Sequence, residues 1–152
     1  MTTSQYFRKL LDLSHSENEY EDADLESNIA KIMADTIGSL FNLAVLFEKP
    51  VGDKEAVINS KIIEQIVNIL GLLFVNQKGR EGNVCFANNP DLRPEFRQSF
   101  TVLDLLDYSN AVLHSNTHRK GNTDFFNIPI SADVVLFWQL VQIGSNLRNT
   151  EE

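Results

Sequence analysis

Residues 101–115 read Thr-Val-Leu-Asp-Leu-Leu-Asp-Tyr-Ser-Asn-Ala-Val-Leu-His-Ser, and this stretch predicts a buried helix with a well-defined start. Thr101 stands three residues before Asp104, which is the spacing of a capping box with Asp in place of Glu. Phe100 and Leu105 are spaced as a hydrophobic staple across the same start. The apolar residues recur at helical spacing and form one stripe. The polar residues of this region that fall on another face are Asp104, Asp107, His114 and His118.

Periodicity predicts four more helices, at residues 4–13, 25–37, 60–70 and about 132–147. Their predicted capping and stop residues are Asp22 or Asp24, Gly38, Asn59 or Ser60, Gly71 and Ser131. The apolar run at 40–47 indicates a buried strand, with a helix as the alternative. The short apolar segments at 72–75 and 84–86 are predicted to pair as a hairpin. The expected fold class is therefore α+β, mostly helical, with about five helices packed with a small sheet or hairpin.

Length and composition limit the kind of protein that this chain is. With 152 residues, 43% of them hydrophobic, it is long enough for one domain with a substantial core. One cysteine, Cys85, excludes an intrachain disulfide, and no stretch of about 18 apolar residues indicates a membrane span. We therefore expect a cytoplasmic location. The net charge of −8 argues against tight, autonomous, non-specific binding to DNA, because phosphate neutralisation requires cations.

Charge is unevenly distributed along the chain. Residues 1–60 contain eleven acidic and five basic side chains, whereas residues 74–100 contain three acidic and four basic ones. The second stretch and the segment after residue 115 therefore supply the cations with which the chain would contact phosphates. The predicted DNA-contacting residues are Lys78, Arg80, Arg93, Arg97 and Arg119.

Asp107 and Tyr108 are followed by an apolar run and by Leu-His-Ser at 113–115. This pattern resembles the C-terminal region of type ISP restriction–modification enzymes, which are large adenine-specific DNA methyltransferases. Residues 137–147, with Phe-Trp at their start, resemble the last helix of that region, and 39–47 and 58–72 resemble earlier parts in the same order. The residues that carry the family motif are Asp107, Tyr108, His114, Ser115 and Trp138. At 126 and 127, Phe and Asn stand where the family has Pro and Arg.

The resemblance divides the chain into two parts. Residues 1–38 are expected to form N-terminal helices with an acidic linker and have no family match. Residues 39–152 are expected to form a methyltransferase C-terminal-like domain. It implies an accessory module for target recognition and no catalysis. Such a module would position duplex DNA or dock on a methyltransferase or restriction subunit, without contact with a membrane. The alternative is a helical protein–protein interaction domain with no role on nucleic acid, and an enzyme with an unrecognised site is the third possibility.

The sequence contains no complete motif for catalysis or for a cofactor. The sequence Asn-Asn-Pro-Asp at 88–91 lacks the second proline and the aromatic ring with which adenine methyltransferases hold a flipped base. No Gly-rich loop follows an N-terminal strand, so no pocket for S-adenosylmethionine and no other cofactor is expected. His114 and His118 have the spacing of two zinc ligands, with Cys85 and Asp107 as further candidates, but the helix is predicted to end near residue 115. We therefore expect no metal site.

Overall fold

The computed structural model describes residues 3–15, 20–35, 40–48, 57–75, 98–121 and 125–151. Its helices are α1 (Thr3–Asp12), α2 (Ala23–Asp35), α3 (Ser60–Leu70), α4 (Val102–Leu113), α5 (Asn116–Gly121) and α6 (Val134–Glu151). Its strands are β1 (Leu40–Asn42), β2 (Phe47–Glu48), β3 (Val57–Ile58), β4 (Leu73–Phe74), β5 (Ser99–Phe100) and β6 (Asn127–Pro129). The predicted fold class, α+β and mostly helical, is confirmed. None of the described helices combines the length and the apolar character that crossing a membrane requires.

Within the described residues, the strands form three separate ladders of two strands each. β1 pairs antiparallel with β6, β2 pairs antiparallel with β3, and β4 pairs in parallel with β5. Strand β4 lies where residues 72–75 predicted one, but its described partner is β5, and the predicted hairpin partner at 84–86 lies outside the described residues. Strand β6 was not predicted, because its three residues include a proline and show no alternation of polar and apolar side chains.

Helix boundaries follow the capping residues closely. The Thr101 hydroxyl accepts a hydrogen bond from the Asp104 amide, and the Asp104 carboxylate accepts one from the Thr101 amide, so the predicted capping box is confirmed. Asn59 caps α3, and Gly71 ends it in the left-handed region with φ of 70°. Asp22 caps α2 by accepting from the amides of residues 24 and 25. The predicted stop at residue 38 lies outside the described residues.

Two predicted elements differ from the structure. Residues 40–47 are not one strand, because the Asn42 side chain accepts from the Ala44 amide and starts a 3₁₀ turn at Leu43–Val45 between β1 and β2. The last helix begins at Val134 and not near residue 132, since the Asp133 carboxylate accepts from the amides of residues 135 and 136. The predicted cap Ser131 instead accepts a hydrogen bond from the Asp133 amide. In both places a side-chain oxygen competes with regular backbone pairing.

The core is centred on α4, which is buried on nearly every side. Most of its apolar stripe is buried as predicted, but polar residues of the helix are buried as well, with Asp107 3%, Ser109 0% and Asn110 2% exposed. Helix α6 covers one side of α4, and α1 packs on another. The side chains of Tyr6 and Leu10 on α1 and of Leu25, Ile29 and Ile32 on α2 belong to the same apolar core. The division of the chain at residue 39 stays a prediction, although helices from both sides of it share one core.

Candidate functional site

Helices α4 and α6 cross in direct contact at Gly144. A methyl group added at Gly144 would lie 1.7 Å from the backbone oxygen of Asp107, so only glycine permits this approach. The Asn110 side chain donates from Nδ2 to the Gly144 carbonyl oxygen at 3.0 Å and fixes the crossing point. The helix that carries the Asp-Tyr pair and the helix that carries Trp138 therefore form one packed unit, as the resemblance implies.

Aromatic rings extend this contact toward the start of α6. Tyr108 stacks on Phe137 with ring centroids 5.1 Å apart, and Trp138 meets Phe137 edge-on at 4.9 Å. Trp138 is 3% exposed. Its predicted role as a motif residue stays a prediction, and the structure places its side chain in the apolar core.

Asp107 is buried and joins three helices. Its Oδ1 accepts a hydrogen bond from the Tyr6 hydroxyl of α1 at 2.6 Å and another from Arg148 Nε of α6 at 3.0 Å. Arg148 Nη2 donates to the other carboxylate oxygen at 3.3 Å, and the guanidinium lies over the Tyr6 ring at 5.6 Å. Burial, followed by the adjacent Asp107 carboxylate, raises the pKa of Tyr6 well above its ordinary value. The carboxylate is thus compensated by one cation and one neutral donor.

The neighbouring motif residue Tyr108 anchors β6. Its hydroxyl donates to the Pro129 carbonyl oxygen at 2.7 Å, and burial raises its pKa above the ordinary value. Residues 127–129 in turn pair with β1, and Asn42 Nδ2 donates to Asn127 Oδ1 at 3.1 Å. The Asn127 side chain therefore helps to hold the two strands together.

His114 and Ser115 lie at the junction of α4 and α5. His114 ends α4, and its Nδ1 is 2.8 Å from the Asn110 carbonyl oxygen. Ser115 Oγ donates to Glu26 Oε1 at 2.6 Å, and the backbone amides of Asn116 and Thr117 donate to the same carboxylate at 3.1 and 2.9 Å. Although burial opposes it, these hydrogen bonds lower the pKa of Glu26 below its ordinary value. A carboxylate from α2 therefore holds the start of α5.

Arg119 is the one predicted DNA-contacting residue within the described part of the chain. Its Nε donates to the Leu113 carbonyl oxygen at 2.8 Å, and its guanidinium lies over the Phe125 ring at 5.0 Å. Partial burial lowers its pKa from the ordinary value. Arg119 thus contributes to the end of α4 through its bond to the Leu113 carbonyl oxygen.

The other four predicted DNA-contacting residues, Lys78, Arg80, Arg93 and Arg97, lie outside the described residues. They belong to the chain between β4 and β5, whose paired strands bring the residues at the two ends of that segment side by side. The Leu73 amide donates to the Gln98 carbonyl oxygen, the Val75 amide donates to that of Phe100, and the Phe74 and Phe100 rings are 5.5 Å apart.

No group of three or more metal-ligating side chains occurs among the residues that the structure describes. His114 and His118 are separated by the end of α4, and His118 Nε2 lies 2.8 Å from the Phe125 carbonyl oxygen. This arrangement agrees with the predicted break in the helix, which places the two imidazoles on different helices. Cys85 lies outside the described residues.

Sequence reasoning missed four residues that organise this region: Tyr6, Glu26, Gly144 and Arg148. A lone glycine inside an apolar helical pattern signals close packing, so Gly144 was detectable. The other three carry no local signal, because each meets its partner across 41 to 101 residues of chain.

Comparison with protein families gives a match over most of the chain. The model described as "Type ISP C-terminal specificity domain" matches residues 15–151. No curated protein and no solved structure matches the chain significantly. The matched range includes all five motif residues and helices α2 to α6. The chain therefore belongs to the family of Type ISP C-terminal specificity domains, the non-catalytic part of these restriction enzymes that serves target recognition.

Proposed function

We propose that this chain acts in restriction–modification as a non-catalytic module that helps to position duplex DNA and docks on a methyltransferase or restriction subunit. The observation that carries the proposal is the family match over residues 15–151, which spans the whole α4–α6 unit. A cytoplasmic location is part of the proposal, because the DNA to be recognised lies there.

The contacts of the motif residues support a scaffold and not a reaction site. Asp107 bonds to Tyr6 and Arg148, and Tyr108 bonds to a backbone carbonyl oxygen. Ser115 donates to Glu26, which caps α5. In a nucleophile–base pair, the nucleophilic atom must be directed at the substrate, whereas these polar atoms are directed at neighbouring elements. Their geometry supports a rigid body on which recognition surfaces are held.

Electrostatics determine where such a body meets DNA. With a net charge of −8, the chain as a whole repels phosphate, so any contact must come from locally basic segments. Residues 74–100, with Lys78, Arg80, Arg93 and Arg97, contain four basic side chains against three acidic ones. We place the phosphate contacts there, with Arg119 as a fifth contributor from α5.

The proposal is tested by binding of a fluorescent 30-base-pair duplex at several salt concentrations. Alanine in place of any one of the four cations at 78, 80, 93 and 97 should weaken binding evenly across sequences. It should also flatten the slope of log affinity against log salt by about one unit. Arg8→Ala is the matched control, because Arg8 is exposed on α1 and precedes the family-matched residues. Arg119→Ala should add a loss of stability, since Arg119 also bonds to Leu113.

Unchanged affinity and slope in all four variants would refute the assignment of the phosphate contacts. A wild-type chain that binds no duplex at low salt, yet co-purifies with a methyltransferase subunit, would favour the protein–protein interaction domain. A thermal shift on addition of S-adenosylmethionine would instead indicate a cofactor pocket and contradict the non-catalytic assignment.

A further inference from the structure

The solvent-facing side of α6 carries a stripe of uncharged amide side chains. Gln139, Gln142, Asn146 and Asn149 are all exposed, and their spacing of three, four and three residues places them on one face. We refer to these four side chains as the amide stripe. From Val134 to Leu147 the helix contains no charged residue, whereas exposed helix faces ordinarily carry charged and polar residues. This face therefore offers hydrogen-bond donors and acceptors without a net charge.

The amide stripe is held rigidly from the opposite side of the helix. At about 100° per residue, Gly144 lies about 200° from both Gln142 and Asn146, so the crossing with α4 anchors the far side. Arg148, bonded to the buried Asp107, fixes the last turns of the helix in the same way. Within the stripe, Gln142 Nε2 donates to Asn146 Oδ1 at 3.1 Å, which limits the rotamers of both side chains.

Space for a ligand lies beside the stripe. A groove of about 560 Å³ runs between α2 and α6, and Gln139 and Gln142 line it on the α6 side. Ser27, Asn28 and Lys31 line it on the α2 side, so the uncharged polar surface continues there and ends at a cation. Two carboxylates, Asp24 and Asp133, also line the groove and disfavour a phosphate close to them.

This chemistry matches base edges better than the DNA backbone. The side-chain amide of one Asn or Gln forms two hydrogen bonds to adenine, one to N6 and one to N7. The major groove is about 12 Å wide and admits an α-helix. Contacts to phosphates position a protein on DNA, while contacts to base edges specify the sequence. Helix α6 has 18 residues and is about 27 Å long, enough to follow several base pairs.

We infer that the amide stripe of α6 contacts adenine-containing base pairs in the major groove of duplex DNA. The inference deepens the proposed function and rests on it, because it assigns to one helix the discrimination that a specificity domain performs. Phosphate contacts and base contacts then belong to different parts of the chain.

The experiment uses the full chain and a pool of 30-base-pair duplexes with a randomised centre. Repeated selection with the wild-type chain yields a preferred duplex, and its affinity is compared with that of a scrambled duplex. The double variant Gln142→Ala, Asn146→Ala should retain the affinity for the scrambled duplex and its salt slope. It should lose about tenfold or more of the preference for the selected duplex. The matched control is Gln65→Ala, Asn68→Ala, which removes two exposed amides from α3.

Replacing adenine by 7-deazaadenine in the selected duplex removes the N7 acceptor and should reduce the affinity of the wild-type chain by a similar factor. The same replacement should not lower the affinity of the double variant any further. An unchanged preference in the double variant would overturn the inference while leaving the proposed function intact. Loss of binding to a protein subunit in that variant, with the DNA preference retained, would also overturn it. Failure of the wild-type chain to bind any duplex would overturn both.

Discussion

Substitution of Gly144 by alanine tests the central contact of the fold. The new methyl group would lie 1.7 Å from the Asp107 backbone oxygen and 2.5 Å from its carbonyl carbon. An ordinary contact between non-bonded heavy atoms is about 3.5 Å, so the two helices would have to separate locally by roughly 2 Å. Backbone atoms of a helix cannot rotate away as the end of a flexible side chain can.

The cost has two parts. Overpacking of a tight core costs about 1–3 kcal/mol. Separation also stretches the 3.0 Å bond from Asn110 to the Gly144 carbonyl oxygen, and a buried polar group without a partner costs about 1–3 kcal/mol. Alanine is the better helix former by about 1 kcal/mol, which offsets part of this. We expect Gly144→Ala to lower the free energy of unfolding by about 3 kcal/mol, a large share of the roughly 5–15 kcal/mol of a typical domain.

Urea unfolding, followed by fluorescence of the single tryptophan, Trp138, measures this change close to the crossing. Gly71→Ala is the matched control. Gly71 has φ of +70° but no heavy atom within 4 Å of an added methyl, so only the conformational cost of about 1 kcal/mol applies. If Gly144→Ala were as stable as the wild type, or more stable, the close crossing of α4 and α6 would be refuted.

Three further substitutions test the contacts around this crossing. Asp107→Asn should destabilise the chain by about 3 kcal/mol, because it leaves Arg148 without its buried counter-charge; a loss below 1 kcal/mol in urea would contradict the network. Tyr108→Phe should cost about 1–2 kcal/mol by removing the donor to the Pro129 carbonyl oxygen, and equal thermal midpoints would count against that bond. Glu26→Gln should cost about 1 kcal/mol at pH 7. Since the folded-state pKa of Glu26 is lowered, its stabilisation is present above the ordinary value of 4.5 and is lost as the pH falls through the folded-state pKa. Unfolding between pH 3 and 7 measures the difference, and a pH-independent difference would contradict the assigned role.

Local patterns in the chain determined the helices and most of their ends. The capping box at Thr101, the cap at Asn59 and the stop at Gly71 act over three or four residues, so the spacing of residue types alone predicts them. The family motif could also be recognised in one short stretch, because Asp107, Tyr108 and Ser115 stand within nine residues of each other. The membership in the specificity-domain family followed from that motif and is confirmed over residues 15–151.

Tertiary structure alone decided what those motif residues contact. The periodicity of α4 separates a polar face from an apolar stripe, but it carries no information on whether the polar face meets water or another helix. Tyr6, from α1, and Arg148, from the far end of α6, enclose Asp107. Glu26 reaches the start of α5 from α2 across 89 residues. Each of these groups loses water on folding and must gain a partner in exchange, and only the three-dimensional packing of the helices brings that partner within hydrogen-bond distance.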